Sequence, residues 1–155
     1  MRLPPDKEKG FPLLYLFGYE VTSPETIDFR YPRYNCIAFA ADDQSLWWWP
    51  DQHGDAFWPD GAKREVTREA FIQAYGTIGY EVCDNGKVEA GFDKIAIYEK
   101  NGVPTHAAKQ LEDGRWKSKL GAWEDIEHKT VEAVQTFHGI GNYGEVAFYM
   151  KRTRA

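Results

Sequence analysis

The sequence predicts an α+β domain, because helix signals and strand signals occupy different parts of the chain. Helix-start signals lie at Asn35 and Thr67, and segments of two-residue periodicity separated by tight-turn signals follow from residue 80 onward. The chain has 155 residues, of which 43% are hydrophobic, so it can bury a sizeable core of its own. We therefore expect a single domain over residues 1–155.

The first segments of the chain predict an irregular arm and then a short helix. Residues 1–33 contain five prolines, which favours an irregular N-terminal arm ahead of a core over 34–150. Asn35 is a suitable N-cap for a helix that begins at Cys36. A loop rich in Trp, Pro, Gly and Asp follows over residues 44–62, and we call it the Trp loop.

The second helix has the clearest start signal. Thr67 is the expected N-cap, with Val66 and Phe71 at the two positions of a hydrophobic staple. Gly76 is the expected stop.

The rest of the chain predicts a meander of about four strands, a late helix and a last strand, within a sheet of about four to six strands. The expected strands are "YEVC", "KIAIYEK", "PTHAAKQL", "RWKSKL" and "EVAFYMK". The late helix is predicted over 124–137, "EDIEHKTVEAVQTF", with Val131, Val134 and Phe137 facing inward.

Charge and composition exclude several classes of function. The formal net charge of −5 argues against a nucleic-acid partner, which requires a basic face. The apolar run "FPLLYLF" is too short for a membrane span, and no export signal precedes it. Two cysteines, Cys36 and Cys83, are expected as reduced thiols, although one bridge between them is a possible alternative. The sequence thus predicts a cytoplasmic protein with no membrane partner.

Cys36 has two interpretations. The thiolate is the reactive form of cysteine, and a free thiol with a pKa of about 8.5 is mostly protonated at neutral pH. The first turn of a helix offers free N–H groups and a partial positive charge, which favour a thiolate and can stabilise an oxyanion. Alternatively, Cys36 is a small buried hydrophobic residue, as free cysteines often are.

His106 is the candidate general base for Cys36. It lies on a predicted strand directly after a tight turn, and a neutral imidazole can take the thiol proton and return it to a leaving group. Asp125 and His128 are both candidates for the group that orients this base. Asp125 is favoured, because a carboxylate fixes the tautomer and stabilises an imidazolium.

The sequence predicts neither a metal site nor a cofactor. The cysteines and histidines show no close ligand pair of the kind that zinc sites use, and no phosphate-binding fingerprint stands in a suitable context. The aromatic residues of the Trp loop either pack over the domain or line a binding groove. The candidate substrate-binding residues are Asn35, Trp47, Trp49 and Trp58.

A cysteine that opens an early helix, followed by a strand histidine and a polar third residue, resembles the order in papain-like cysteine hydrolases. "YNC" and "DKIAIYEKNGVPTHAAKQ" are similar to the nucleophile and histidine segments of the compact NlpC/P60 and CHAP branch. The chain also resembles a group of uncharacterised small bacterial proteins that combine "NCIA", a Trp-Pro loop, "THAA" and "SKLG" over most of 34–150. One departure is a Phe inserted in "GFDK", where that branch has adjacent Gly and Asp.

The resemblance implies a papain-like fold and a thiol hydrolase of the amidase or peptidase type. Cys36 would be its nucleophile, His106 its base, and Asp125 or His128 the third residue. Its substrate would be a peptide, an amide or a glycan-linked peptide. The alternative function is a non-catalytic module that holds a peptide or glycan through the Trp loop.

Overall fold

The computed structural model describes residues 19–22, 33–120, 125–135 and 143–154. These residues form seven strands, two α-helices and one 3-10 helix. The strands are β1 (Tyr19–Val21), β2 (Glu81–Cys83), β3 (Phe92–Lys100), β4 (Val103–Gln110), β5 (Trp116–Lys119), β6 (Asp125–His128) and β7 (Glu145–Thr153). The helices are α1 (Cys36–Ala40), α2 (Arg68–Gly76) and the 3-10 helix (Val131–Val134).

Both predicted helix starts are confirmed. The Asn35 side chain accepts a hydrogen bond from the Ala38 N–H at 3.1 Å, and the Thr67 hydroxyl accepts one from the Ala70 N–H at 3.2 Å. Each bond satisfies one of the N–H groups that a first helical turn leaves without a partner. The second helix ends at Gly76 as predicted.

The α+β prediction is confirmed, with a larger sheet than the expected four to six strands. All seven strands join one antiparallel sheet in the order β1-β6-β5-β4-β3-β7-β2. The meander therefore runs from β3 to β6. The segment "YEVC" was expected in that meander but pairs as β2 with β7 at the sheet edge. Part of the predicted irregular arm also joins the sheet, since β1 pairs with β6.

The helix predicted over 124–137 is wrong. Residues 125–128 form β6, and only Val131–Val134 are helical, as a 3-10 turn. The reason is pairing with β5, which aligns Ile126 with Ser118 and His128 with Trp116. Neighbours on a strand alternate between faces, so this pairing buries Ile126 and His128 on one side of the sheet. The predicted contact of Phe137 lies outside the described residues.

The sheet carries a hydrophobic core on each face. The core of the first face, which we call the helix face, contains α1, α2 and buried residues of the sheet and Trp loop. It includes Cys36, Ile37, Trp48, Trp58, Phe71, Tyr75, Ile95, Ile97, Ala107 and Met150. The core of the second face, which we call the distal face, is covered by the 3-10 helix. It includes Ala96, Tyr98, Ala108, Trp116, Leu120, Ile126, Ala133 and Val134. Neither α-helix in the described part of the chain is long and apolar enough to cross a membrane.

Candidate functional site

A pocket of about 330 Å³ opens at the start of α1. We call it the Cys36 pocket. Its lining residues carry no formally charged side chain, and three of the six are aromatic. They are Asn35, Cys36, Trp47, Trp49, Thr105 and Tyr143. The volume lies near the lower end of the range typical of ligand pockets, roughly 300–1,000 Å³. The pocket therefore suits one side chain or one small group.

Asn35 joins α1 to the Trp loop. Besides capping α1, its Oδ1 accepts a hydrogen bond from the Trp48 N–H at 3.1 Å, and its Nδ2 donates one to the Trp48 carbonyl at 2.6 Å. Both polar atoms of the amide are thus engaged within the protein, and the side chain is buried. Asn35 lines the pocket, but its main task in the structure is to hold the loop backbone.

The thiol of Cys36 is buried and protonated at neutral pH. Burial raises the pKa of Cys36 to about 11, outweighing the lowering by the N–H groups of Ala107, Ile37 and Cys36 itself and by the charge of Lys119. Its Sγ lies 3.9 Å from the Thr105 carbonyl oxygen, which it contacts as a weak donor. Since α1 spans only five residues, its N-terminus does not offset the loss of solvation.

The structure does not bring His106 to Cys36. His106 pairs across β3 and β4 with Tyr98, a residue of the distal face, and the two rings lie 5.1 Å apart. The next residue, Ala107, packs in the same core as Cys36. Because neighbouring residues on a strand point to opposite faces, His106 projects away from the thiol.

His106 instead joins a buried chain of hydrogen bonds with Ser118 and His128. The Ser118 hydroxyl lies 2.9 Å from His106 Nε2 and 2.7 Å from His128 Nε2. His128 Nδ1 lies 2.7 Å from the Thr130 carbonyl oxygen, which accepts only, so His128 carries its proton on Nδ1. Ser118 then donates to His128 Nε2 and accepts from His106 Nε2–H. His106 Nδ1 is left as a buried acceptor without a hydrogen-bond partner in the described part of the chain.

Both imidazoles of this chain are neutral at physiological pH. Burial lowers the pKa of His128 to about 4, against a smaller opposing effect of the Thr130 carbonyl. Burial, followed by repulsion from His128, holds the pKa of His106 well below its ordinary value. A fully buried base of this kind is a weak proton acceptor.

Asp125 lies on the helix face, away from His106, in a buried cluster that sequence reasoning missed. It accepts a hydrogen bond from the Tyr34 hydroxyl and pairs with Lys119 Nζ at 3.4 Å. Lys119 also lies over the Tyr34 ring, 4.8 Å from its centroid. Burial, with a further contribution from Asp125, raises the pKa of Tyr34. The alternation in "RWKSKL" places Lys119 opposite Trp116 and Leu120, a pattern typical of a lysine that faces solvent, so no local signal indicated its burial.

The Trp loop divides between pocket and core. Trp47 and Trp49 line the Cys36 pocket. Trp48 and Trp58 are buried, and their indole N–H groups donate to Asp43 Oδ2 at 2.9 Å and to the Lys63 carbonyl at 2.8 Å. Trp58, expected at the substrate site, belongs to the core and does not line the pocket.

Sequence reasoning missed two residues that line the pocket, Thr105 and the aromatic Tyr143. Its ring stacks on His106 with centroids 3.9 Å apart and planes 9° apart, and its carbonyl accepts a hydrogen bond from the Thr105 hydroxyl. Gly144 follows with φ +75, and a Cβ there would lie 2.0 Å from the Glu99 carbonyl oxygen. Only glycine permits this close approach to β3, and the hydrogen bond from Thr105 holds Tyr143 beside β4.

The described residues contain no group of three or more His, Cys, Asp or Glu side chains arranged to hold a metal ion. Cys36 and Cys83 are both free thiols.

Comparison of the sequence with family models assigns the chain to a family. No curated protein and no solved structure matches it. The model of the family described as "Domain of unknown function (DUF7689)" matches residues 20–151, which is most of the chain. The protein therefore belongs to this family.

Proposed function

We propose that this protein is a non-catalytic module that binds a peptide by one apolar side chain held in the Cys36 pocket. The observation that carries the proposal is an aromatic, uncharged pocket whose cysteine is a neutral thiol with the predicted base on the other side of the sheet. Such a pocket offers contact area and shape, and it lacks an activated nucleophile.

A peptide suits the lining better than a glycan does. Sugar hydroxyls require several free polar partners, whereas the Asn35 amide and the Thr105 hydroxyl already make hydrogen bonds within the protein. The adjoining surface is also apolar, because Leu46 and Trp47 are 42% and 36% exposed. Exposed apolar surface beside a pocket is typical of protein interaction sites.

A papain-like thiol hydrolase is the second candidate, because Cys36 begins α1 and lines the pocket. This activity requires a base on the helix face, and His106 and His128 both lie in the hydrogen-bonded chain of the distal face. The separation of the predicted catalytic residues therefore favours the binding module.

Selection of displayed random peptides on the full chain tests the proposed function. We expect enrichment of peptides that share an apolar anchor, and loss of their binding in Trp49→Ala. Val88→Ala, at an exposed valine outside the pocket, is the matched control and should bind as the wild type does. The binding module is refuted if Trp47→Ala and Trp49→Ala both retain full affinity for every selected peptide.

The variant Cys36→Ala separates the two candidates. A binding module keeps its peptides when the thiol is removed, because the pocket loses only a sulfur atom. If the selected peptides are instead cleaved by the wild type and left intact by Cys36→Ala, the hydrolase is the correct function.

A further inference from the structure

The chain segment that contains the pocket residues Trp47 and Trp49 is acidic. Residues 42–60 contain five aspartates and neither lysine nor arginine, namely Asp42, Asp43, Asp51, Asp55 and Asp60. Asp42 and Asp51 form ion pairs with residues elsewhere in the chain. Asp43, Asp55 and Asp60 form no ion pair with any described residue. The loop beside the pocket thus retains negative charge, which attracts a cation.

The walls of the pocket also favour a cation. Three aromatic residues, Trp47, Trp49 and Tyr143, line the pocket, and an aromatic ring attracts a cation that lies over its face within about 6 Å. His106, stacked behind Tyr143, is neutral and adds no repulsion.

Among charged side chains, Lys119 acts on Cys36 and lowers the pKa of its thiol, by less than the N–H groups of Ala107, Ile37 and Cys36 do. Lys119 is buried, pairs with Asp125 at 3.4 Å and lies over the Tyr34 ring. Its ammonium thus faces the Asp125 carboxylate, and Lys119 does not line the pocket.

An ordinary lysine ammonium fits the pocket poorly. It has three N–H donors, and each needs an acceptor when it leaves water. The lining offers no carboxylate, and Asn35 Oδ1 already accepts two hydrogen bonds. A trimethylated ammonium keeps the positive charge, has no N–H donor and presents methyl groups to the aromatic walls.

We propose that the Cys36 pocket binds a methylated ammonium group, carried by a trimethyllysine side chain of a peptide or by a small choline-like molecule. The inference rests on the proposed function in using the same pocket, and it replaces the plain apolar anchor by one whose methyl groups are apolar and whose nitrogen is charged. The aromatic rings contact the ammonium group, the negative charge of residues 42–60 attracts it at longer range, and the pocket volume limits the ligand to one such group.

Titration of the full chain with matched peptides tests this inference. The peptides share a Gly-Ser sequence and differ at one position, which is lysine, trimethyllysine or the neutral analogue with a tert-butyl group in place of the trimethylammonium. Calorimetry at pH 7.5 should give binding of trimethyllysine roughly tenfold tighter than of the other two. Choline and its neutral analogue 3,3-dimethyl-1-butanol form the second pair, and preference for the peptide or for choline identifies the source of the ammonium.

Two variants locate the recognition. Trp47→Leu keeps an apolar wall but removes its π face, so the preference for trimethyllysine over the tert-butyl analogue should fall severalfold. Phe57→Leu is the matched control, because Phe57 is an exposed aromatic of the same loop that does not line the pocket. It should keep the preference of the wild type.

The outcomes separate this inference from the proposed function. Equal binding of the charged and neutral members of both pairs overturns ammonium recognition, while the apolar peptide module stands. If neither the matched peptides nor the selected apolar peptides bind, the proposed function itself fails.

Discussion

His106 points to the distal face of the sheet, whereas Cys36 packs on the helix face. The two residues that most resemble a catalytic dyad in the sequence are therefore separated by the backbone of β4. The Cys36 thiol lines the pocket beside the Trp loop. The His106 imidazole belongs to a buried hydrogen-bonded chain with Ser118 and His128.

Alkylation of Cys36 should be slow. A pKa of about 11, against about 8.5 for a free thiol, reduces the thiolate fraction at pH 7 by more than about 100-fold. Iodoacetamide labelling followed by mass spectrometry measures this, with an unstructured peptide thiol as reference and the partly exposed Cys83 as internal control. Labelling of Cys36 as fast as the peptide thiol at pH 7 contradicts the prediction.

The fold should lose stability in mild acid because of His128 and His106. Their pKa values are lowered in the folded protein, so the unfolded chain binds more protons once the pH falls below about 6.5. Their contribution is complete above that pH and is lost on acidification, for His128 between about 6.5 and about 4.

Urea unfolding at several pH values measures this effect. For His128 alone we expect a loss on the order of 2 kcal/mol between pH 7.5 and pH 5. His128→Gln should flatten this slope, whereas His53→Gln, at an exposed histidine of the Trp loop, should not. An unchanged slope in His128→Gln is the contrary result.

Asn35→Ala should cost more than the loss of a helix cap. Thr67→Ala removes one capping bond and should lower the free energy of unfolding by about 1 kcal/mol. Asn35→Ala also removes both bonds to the Trp48 backbone in a buried site, and we expect about 2–4 kcal/mol. Equal losses in the two variants, measured by chemical denaturation, would show that the Trp48 bonds contribute nothing.

The Lys119–Asp125 pair should behave as a buried ion pair. Lys119→Met removes the cation that lies 3.4 Å from the buried Asp125 carboxylate, and we expect a loss of about 3–5 kcal/mol of stability. The double variant Lys119→Met with Asp125→Asn should recover part of that loss. The exposed pair of Lys63 and Glu69 provides the control, since its removal should change stability by less than about 1 kcal/mol. Additive losses in the double variant would disprove the coupling.

Local signals in the sequence predicted local structure well. Asn35 and Thr67 cap α1 and α2 because their side chains satisfy N–H groups three residues away, which depends on little beyond neighbouring sequence. The turn at Asn101 and Gly102 likewise separates β3 from β4, with φ values of 55 and 78. The helix predicted over residues 124–137 was wrong for a non-local reason. Val131 and Val134 have helical spacing, but pairing with β5 made 125–128 a strand.

The sequence by itself determined the fold class, the starts of α1 and α2 and most of the described strands. It also singled out Asn35, Cys36, Trp47 and Trp49, four of the residues that line the pocket. Only the tertiary structure decided which of the candidate chemical groups meet. The face of the sheet to which a strand residue points depends on the pairing register, and a shift of one residue moves its side chain to the other face. Register therefore put His106 with Ser118 and Asp125 with Lys119. Burial, which no local pattern measures, made the Cys36 thiol a neutral wall of an aromatic pocket.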